Sequence, residues 1–250
     1  MSGRSSDFVR VKATVAYDGT DYHGLQRQVN APSVQATLEG ALTRIMQSPT
    51  RILAAGRTDA GVHAEGQVIA FDTAWRHGLP VLERAMNAVL PSDVAVRDLA
   101  QVEADFHPRY DARSRLYRYT VYNAPVRSPL ARHTSLHVAG TLDLQAMVEA
   151  TAMIVGEHDF AAFGKPTQGE VTVRRVIDAG WRVEAPWWWF DIEANAFLYR
   201  MVRKIVGALL LVGQGRLSPD EFGAILASRD RSQVGLTAQA QGLCLIQVKY

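Results

Sequence analysis

Between Val9 and Tyr17 every second residue is apolar: Val9, Val11, Ala13, Val15 and Tyr17. That two-residue period sets one side of an extended strand against a core, and Asp18-Gly19 ends it with turn chemistry. The period then changes. From Val34 to Met46 the apolar residues Val34, Leu38, Leu42, Ile45 and Met46 recur at helical spacing, with Ser33 at the N-cap position and Pro49 stopping the run. Short strands are predicted over 52–55 and 67–71 with a loop between them. Pro80 starts a helix that runs to Leu90, Pro91 closes it, and 94–102 reads as a strand again. The first half is therefore β-α-β-β-α-β.

The same order returns as strand 116–122, helix 143–155, strands 171–183 and 188–194, helix 197–212 and closing strand 243–248. Element order repeats, and sequence identity does not. The fold class expected is α+β, with two split-βαβ halves of the ferredoxin or RRM type over residues 1–106 and 107–250. Each half has an antiparallel sheet with helices on one face, which leaves the other sheet faces to form a central cleft. The loop 23–32 and the segment 125–141 are the long connections expected to line it.

With 250 residues, 48% of them hydrophobic and 21% charged, the chain can bury a core without a covalent or metal staple. The single cysteine, Cys244, excludes an internal disulfide, and no group of Cys, His and carboxylates has zinc-site spacing. His133 and His137 stand four apart but lack further ligands, so no metal is assigned. Residues 1–6 lack the apolar stretch of a secretion signal, and the longest apolar run, 205–212, is too short to cross a bilayer. A cytoplasmic protein with no membrane partner is expected.

The net charge of +2 is too mild to name a nucleic-acid partner, so its distribution matters more. Of the 27 basic residues only Lys12, Lys165, Lys204 and Lys249 are lysines; the rest are arginines, whose planar forks suit phosphates and base edges. A G+C-rich genome explains such a total equally well. It does not explain why 107–133 holds Arg109, Arg113, Arg115, Arg118, Arg127 and Arg132 against Asp111 alone, which reads as an electrostatic footprint.

The densest polar chemistry is Ala54-Ala55-Gly56-Arg57-Thr58-Asp59-Ala60-Gly61-Val62-His63-Ala64, a small-residue loop that presents a carboxylate, a guanidinium and an imidazole. Gly56 and Gly61 let a sugar or base approach the main chain. The plainer alternative is a tight turn in which Asp59 bonds its own backbone and Arg57 is solvated. No second acid in sequence completes a glycosidase pair, and Ser/His/Asp or Cys/His nucleophile signatures are missing. Whatever chemistry the loop performs must rest on one carboxylate.

The octapeptide Gly56-Arg57-Thr58-Asp59-Ala60-Gly61-Val62-His63 resembles the signature loop of the TruA-type tRNA pseudouridine synthases. The likeness continues through Tyr17-Asp18-Gly19 with Gly24-Leu25-Gln26-Arg27-Gln28, and through Asp105-Phe106-His107-Pro108-Arg109 to Arg115-Leu116-Tyr117-Arg118-Tyr119. Asn195-Ala196-Phe197-Leu198-Tyr199-Arg200-Met201-Val202-Arg203 and Ala240-Gln241-Gly242-Leu243-Cys244-Leu245 complete it, in order, over nearly the whole chain. The resemblance implies that Asp59 is the essential catalytic residue and that Tyr117 stacks on the target base. It implies conversion of uridine to pseudouridine at position 38, 39 or 40 of the anticodon stem-loop, without a cofactor, by a homodimer with tRNA lying across both subunits. It also points to Arg203 as the cation that keeps Asp59 ionised, with Arg57 second.

Residue chemistry bears on these roles. A base must leave the stack before its glycosidic bond is reached, and an aromatic ring offers a replacement face, while Arg57 could fill the vacated space or hold a phosphate. Against this, Tyr117, Tyr119 and Val121 also alternate like one buried face of a strand. Arg200, Arg203 and Lys204 fall at helical spacing opposite the apolar row Met201, Ile205, Leu209 and Val212, as a solvated face would. Trp187-Trp188-Trp189 must point to alternate faces, which favours packing over a ligand stack. Two residues depart from the family pattern, Leu25 where an aromatic residue is usual and Cys244 where a larger one is common. The rival readings are a non-catalytic RNA-binding protein, weakened by the lack of aromatic RNP motifs, and a nucleoside hydrolase.

Overall fold

The computed structural model describes residues 8–167 and 169–250, which divide into two compact units; residues 1–6, read above for targeting, lie outside the described residues. The first unit comprises the described chain up to Arg113 together with Leu245–Tyr250. Its elements are β1 (Val9–Tyr17), α1 (Val34–Met46), β2 (Leu53–Ala54), β3 (His63–Thr73), α2 (Leu79–Val89) and β4 (Val94–Val102). β1 lies between β3 and β4, antiparallel to both, with Val11 opposite Phe71 and Val15 opposite Gln67. The alternation along β1 is what buries Val11, Ala13, Val15 and Tyr17 and leaves the intervening residues partly open.

α1 has the limits its sequence sets. The Ser33 hydroxyl accepts the Ala36 N–H at 3.3 Å, and Gln47 closes the helix in the left-handed conformation (φ 54°) just before Pro49. Val34, Leu38 and Leu42 are buried from it, and Leu82 and Met86 from α2. Each such side chain contributes about 1.5–3 kcal/mol when fully removed from water. β3 is longer than the predicted 67–71 and starts at His63. Gly66 hides this in the sequence, because a glycine inside a strand marks a close backbone approach; here it lies against the Ile246 carbonyl.

The second unit, Ser114–Cys244, holds β5 (Ser114–Asn123), β6 (Leu136–Val138), α3 (Leu144–Ala152), β7 (Gly156–Asp159), β8 (Val173–Glu184), β9 (Trp187–Ala194), α4 (Met201–Gly213) and α5 (Pro219–Ser228). Its strands run β5-β9-β8-β7, all neighbours antiparallel, and β6 joins β5 in parallel at Val121–Asn123. The three helices pack on one another and α3 lies on β8. The last strand, β10 (Leu243–Lys249), begins in this unit, and its residues from Leu245 onward lie beside β3 in the first.

Along the chain the order β-α-β-β-α-β occurs twice, with β6, β7 and α5 added in the second round, whose closing strand β10 falls mostly in the first unit. α4 starts at Met201 and not at Phe197, because Arg200 takes a left-handed conformation (φ 62°, ψ 12°) and the Met201 N–H turns back to the Leu198 carbonyl. The helix is apolar nearly all round, so it is core, and the basic row opposite its apolar residues reduces to Arg203 and Lys204. No helix among the described residues is long and apolar enough to cross a membrane.

Candidate active site

Asp59 sits in the loop that joins β2 to β3, and that loop is fixed from three sides. At its base the Ala55 N–H donates to the Val68 carbonyl (2.8 Å), and buried Gln67 donates from Nε2 to the Gly56 carbonyl (3.0 Å). Next to the carboxylate, Thr58 is buried with its Oγ1 2.7 Å from the Tyr17 hydroxyl at the end of β1. Main-chain bonds complete the hold. Leu25 N–H donates to the Thr58 carbonyl (3.2 Å), Val62 N–H to the Asp59 carbonyl (3.2 Å) and Gly61 N–H to the Tyr22 carbonyl (3.2 Å).

The segment after β1 makes this possible. Gly24 has φ +97°, and a Cβ there would stand 2.6 Å from the Thr58 oxygen and 3.2 Å from the Asp59 carbonyl carbon, so only glycine fits. Leu25, the departure from an aromatic residue, is buried, and its carbonyl accepts the Gln35 N–H (2.9 Å), which ties the segment to α1. His63 Nδ1 lies 3.0 Å from the Gly19 N–H and 3.1 Å from Asp18 Oδ1. One nitrogen cannot serve both at once: it accepts from Gly19 when Nδ1 carries no proton and donates to Asp18 when it does. The Gly19 hydrogen bond requires the neutral tautomer with its proton on Nε2.

Within this frame Asp59 is half-buried and Arg57, two residues earlier, is exposed. The turn from Asp59 to Val62 is closed by the Asp59 main-chain carbonyl. Backbone hydrogen bonds at residues 58, 59 and 61 fix the main chain that carries this carboxylate.

Tyr117 and Arg203 belong to the second unit. Tyr117 lies on β5 opposite Ile192, half-buried, with its ring edge-on to Phe197 (centroids 5.1 Å, 87°). Tyr119 and Val121 on the same side of the strand are fully buried, so the alternation expected of a core face ends at Tyr117, where the ring is partly open. Arg203 is half-buried on α4, its Nε donating to the Ala238 carbonyl (2.8 Å) while its own carbonyl accepts the Ala238 N–H (2.9 Å). Tyr119 completes this corner: its hydroxyl donates to the Gln239 carbonyl at 2.8 Å, and burial pushes that hydroxyl well above the ordinary tyrosine range, the Arg203 charge opposing.

The arginine-rich segment is less of a footprint than its sequence suggests. Arg118 forms a two-pronged pair with Asp191 (2.7 Å on both prongs), and Arg115 donates to the Asn195 carbonyl (2.8 Å), so both serve the sheet. Arg113, Arg127 and Arg132 are exposed. The tryptophans alternate as strand geometry demands, with Trp188 buried and Arg182 stacked over Trp189 on the other face at 4.2 Å. No group of three or more His, Cys, Asp or Glu able to hold a metal occurs among the described residues.

What the sequence did not disclose is the support around Asp59. Tyr17, Gly24 and His63 are visible in it only as members of motifs, and their bonds with Thr58 and Gly19 join residues far apart in the chain.

The chain matches the family model described as tRNA pseudouridine synthase over residues 13–111 and 150–250. It is 46% identical over 241 residues to the tRNA pseudouridine synthase A of Syntrophotalea carbinolica, covering 96% of both chains. It is 43% identical over 242 residues to that of Geotalea uraniireducens, covering 96% of this chain and 99% of the other. For the Chloroflexus aurantiacus enzyme of the same name the identity is 46% over 243 residues, with 94% and 87% covered.

Proposed function

Because the chain belongs to the tRNA pseudouridine synthase family, we propose that it converts uridine to pseudouridine at position 38, 39 and/or 40 of the tRNA anticodon stem-loop, with Asp59 as the catalytic carboxylate. The family membership makes the chain an isomerase acting on tRNA uridine; the positions and the residue roles are our reading. The observation that carries the choice of Asp59 is its loop, a half-buried carboxylate in backbone held through Thr58, Gly61 and the glycine at Gly24.

The reaction breaks the bond from ribose C1′ to uracil N1, turns the base, and forms the bond from C1′ to C5. N1 gains a proton and C5 loses one, so atoms and electrons balance without an oxidant. Ionised Asp59 either attacks C1′ or removes a neighbouring sugar proton. Tyr117, whose ring is partly open, supplies the face on which the extruded uracil stacks, and exposed Arg57 enters the vacated space or holds a phosphate. Arg203, with its Nε on the Ala238 carbonyl, is the second-unit cation assigned to the substrate.

Incubation with unmodified tRNA tests this. Pseudouridine in the anticodon arm is the expected product; free uracil would mean a hydrolase, and unchanged RNA a binding protein. Asp59→Ala should abolish product while tRNA is still bound, and an Asp59→Ala protein with full activity would remove Asp59 from the role. Sizing with and without tRNA tests the expectation that the enzyme works as a homodimer.

A further inference from the structure

α4 begins at a concentration of positive charge that the proposed chemistry does not use. Lys165 and Tyr199 form an isolated antiparallel bridge, with the Tyr199 N–H donating to the Lys165 carbonyl at 2.9 Å. Gly164 secures it, lying so close that a Cβ would stand 2.9 Å from the Tyr199 carbonyl oxygen. Bridged residues project to one side, so exposed Lys165 and Tyr199 share a face, and the Arg200 guanidinium lies over the Tyr199 ring at 4.9 Å. Lys204 follows four residues after Arg200, one helical turn on.

A fourth cation joins them. Burial, then Arg231 and Arg200, hold the Lys204 ammonium below the ordinary lysine range, and no carboxylate of the described residues is among the groups acting on it. Asp230, beside Arg231 in sequence, accepts from the Ser232 N–H (2.9 Å) and hydroxyl (2.7 Å) before it feels the Arg231 charge, and Asp159 pairs with Arg229 at 3.2 Å. The start of α4 carries no side-chain cap at Arg200, so the positive end of a thirteen-residue helix adds to the same field. Like charges gathered this way repel in the free protein and are relieved by an anion.

We propose that Lys165, Arg200, Lys204 and Arg231 form a phosphate-binding cluster that grips the tRNA backbone, with the Tyr199–Arg200 stack as its floor. The proposal rests on the tRNA reading above. It assigns these residues to affinity and placement of the substrate and none of them to the chemistry.

The test uses the full chain and an unmodified tRNA transcript, with affinity measured between about 50 and 200 mM salt. Removing one cation that neutralises a phosphate should flatten the plot of log affinity against log salt by about 0.7–0.9 and weaken binding several-fold at physiological salt. R231Q should flatten the plot by that amount and R200Q/K204Q by twice as much, with kcat/KM falling more than kcat. Lys165 and Arg231 are exposed, so K165Q/R231Q carries the test should the helix variants misfold. An unchanged slope in folded K165Q/R231Q overturns the proposal. So does a cluster that binds inorganic phosphate at millimolar concentration while tRNA affinity ignores all three variants, because the cluster then serves a free anion. A wild type that binds tRNA with the expected slopes but forms no pseudouridine overturns the catalytic reading alone.

Discussion

The Tyr17 hydroxyl and Thr58 Oγ1 meet at 2.7 Å in a buried contact that links the last residue of β1 to the residue before Asp59. A net hydrogen bond of this kind is worth about 1 kcal/mol, and stranding a buried partner costs up to about 3. Tyr17→Phe should therefore destabilise the fold by about 1–2 kcal/mol in urea titration. Its more telling effect is on the loop: kcat should fall while KM for tRNA changes little. Equal impairment of both would mean that the bond supports only the fold.

Gly24 allows less. Its φ of +97° excludes ordinary side chains, and an added Cβ would sit 2.6 Å from the Thr58 oxygen, an atom of rigid backbone. Neither the angle nor the clash is relieved by a side-chain rotation, so Gly24→Ala must displace the loop that carries Asp59. A stability loss of about 2 kcal/mol or more is expected, with single-turnover activity reduced beyond what the unfolded fraction explains. Gly56→Ala is the control: a Cβ at Gly56 meets nothing within 4 Å, so the same substitution there should be far milder.

Tyr119 gives the second unit a measurable alkaline limit. Burial holds its phenol protonated in the folded state beyond the pH at which an exposed tyrosine ionises, with the Arg203 charge pulling the other way. The folded state therefore binds the proton more tightly than the unfolded state. Stability from this source is full below pH about 10 and is lost as pH rises further, by about 1.4 kcal/mol per unit for one group. Tyr119→Phe should cost about 1–2 kcal/mol at neutral pH, because the Gln239 carbonyl loses its donor, yet flatten the decline above pH 10. Tyr22, also raised by burial, should leave part of the slope in place. A variant whose stability falls as steeply as wild type across that range would contradict the assignment.

Legibility followed the range of the interactions. β1, α1 and β4 have the limits predicted because alternation, the Ser33 cap and Pro49 are local signals. α5 is equally local yet absent from the predicted elements: Ser218-Pro219-Asp220-Glu221 is a capping box with proline in the first turn, and both of its reciprocal bonds are present. The start of α4 could not be read, since nothing local marks Arg200 as left-handed. At the site, the octapeptide singles out Asp59 and Arg57, but the bonds that make the loop rigid join Tyr17 to Thr58 and Gly19 to His63, 41 and 44 residues apart. The same limit misleads in the other direction at Arg118, which reads as surface charge although its partner is Asp191, 73 residues away.

Arg10 and Asp72 stand directly opposite each other across β1 and β3, and they separate stability from activity. The guanidinium grips both carboxylate oxygens (2.8 and 3.0 Å) and gives its remaining arm to the Phe106 carbonyl (3.0 Å). The two partners are unequally covered: the Arg10 side chain is 11% exposed and that of Asp72 39%. Removing Asp72 leaves a nearly buried cation short of its counter-charge, whereas removing Arg10 leaves a carboxylate that water can reach. Asp72→Ala should therefore cost more than Arg10→Met, about 2 against about 1 kcal/mol, the figures kept low because the pair is partly solvated. A double-mutant cycle should give a coupling of about 1 kcal/mol. Asp72 lies nine residues beyond His63 on β3, about 30 Å along the strand, so pseudouridine formation by the folded fraction should match wild type in both variants. An activity deficit in proportion to neither stability nor tRNA binding would show that the far end of β3 does reach the Asp59 loop.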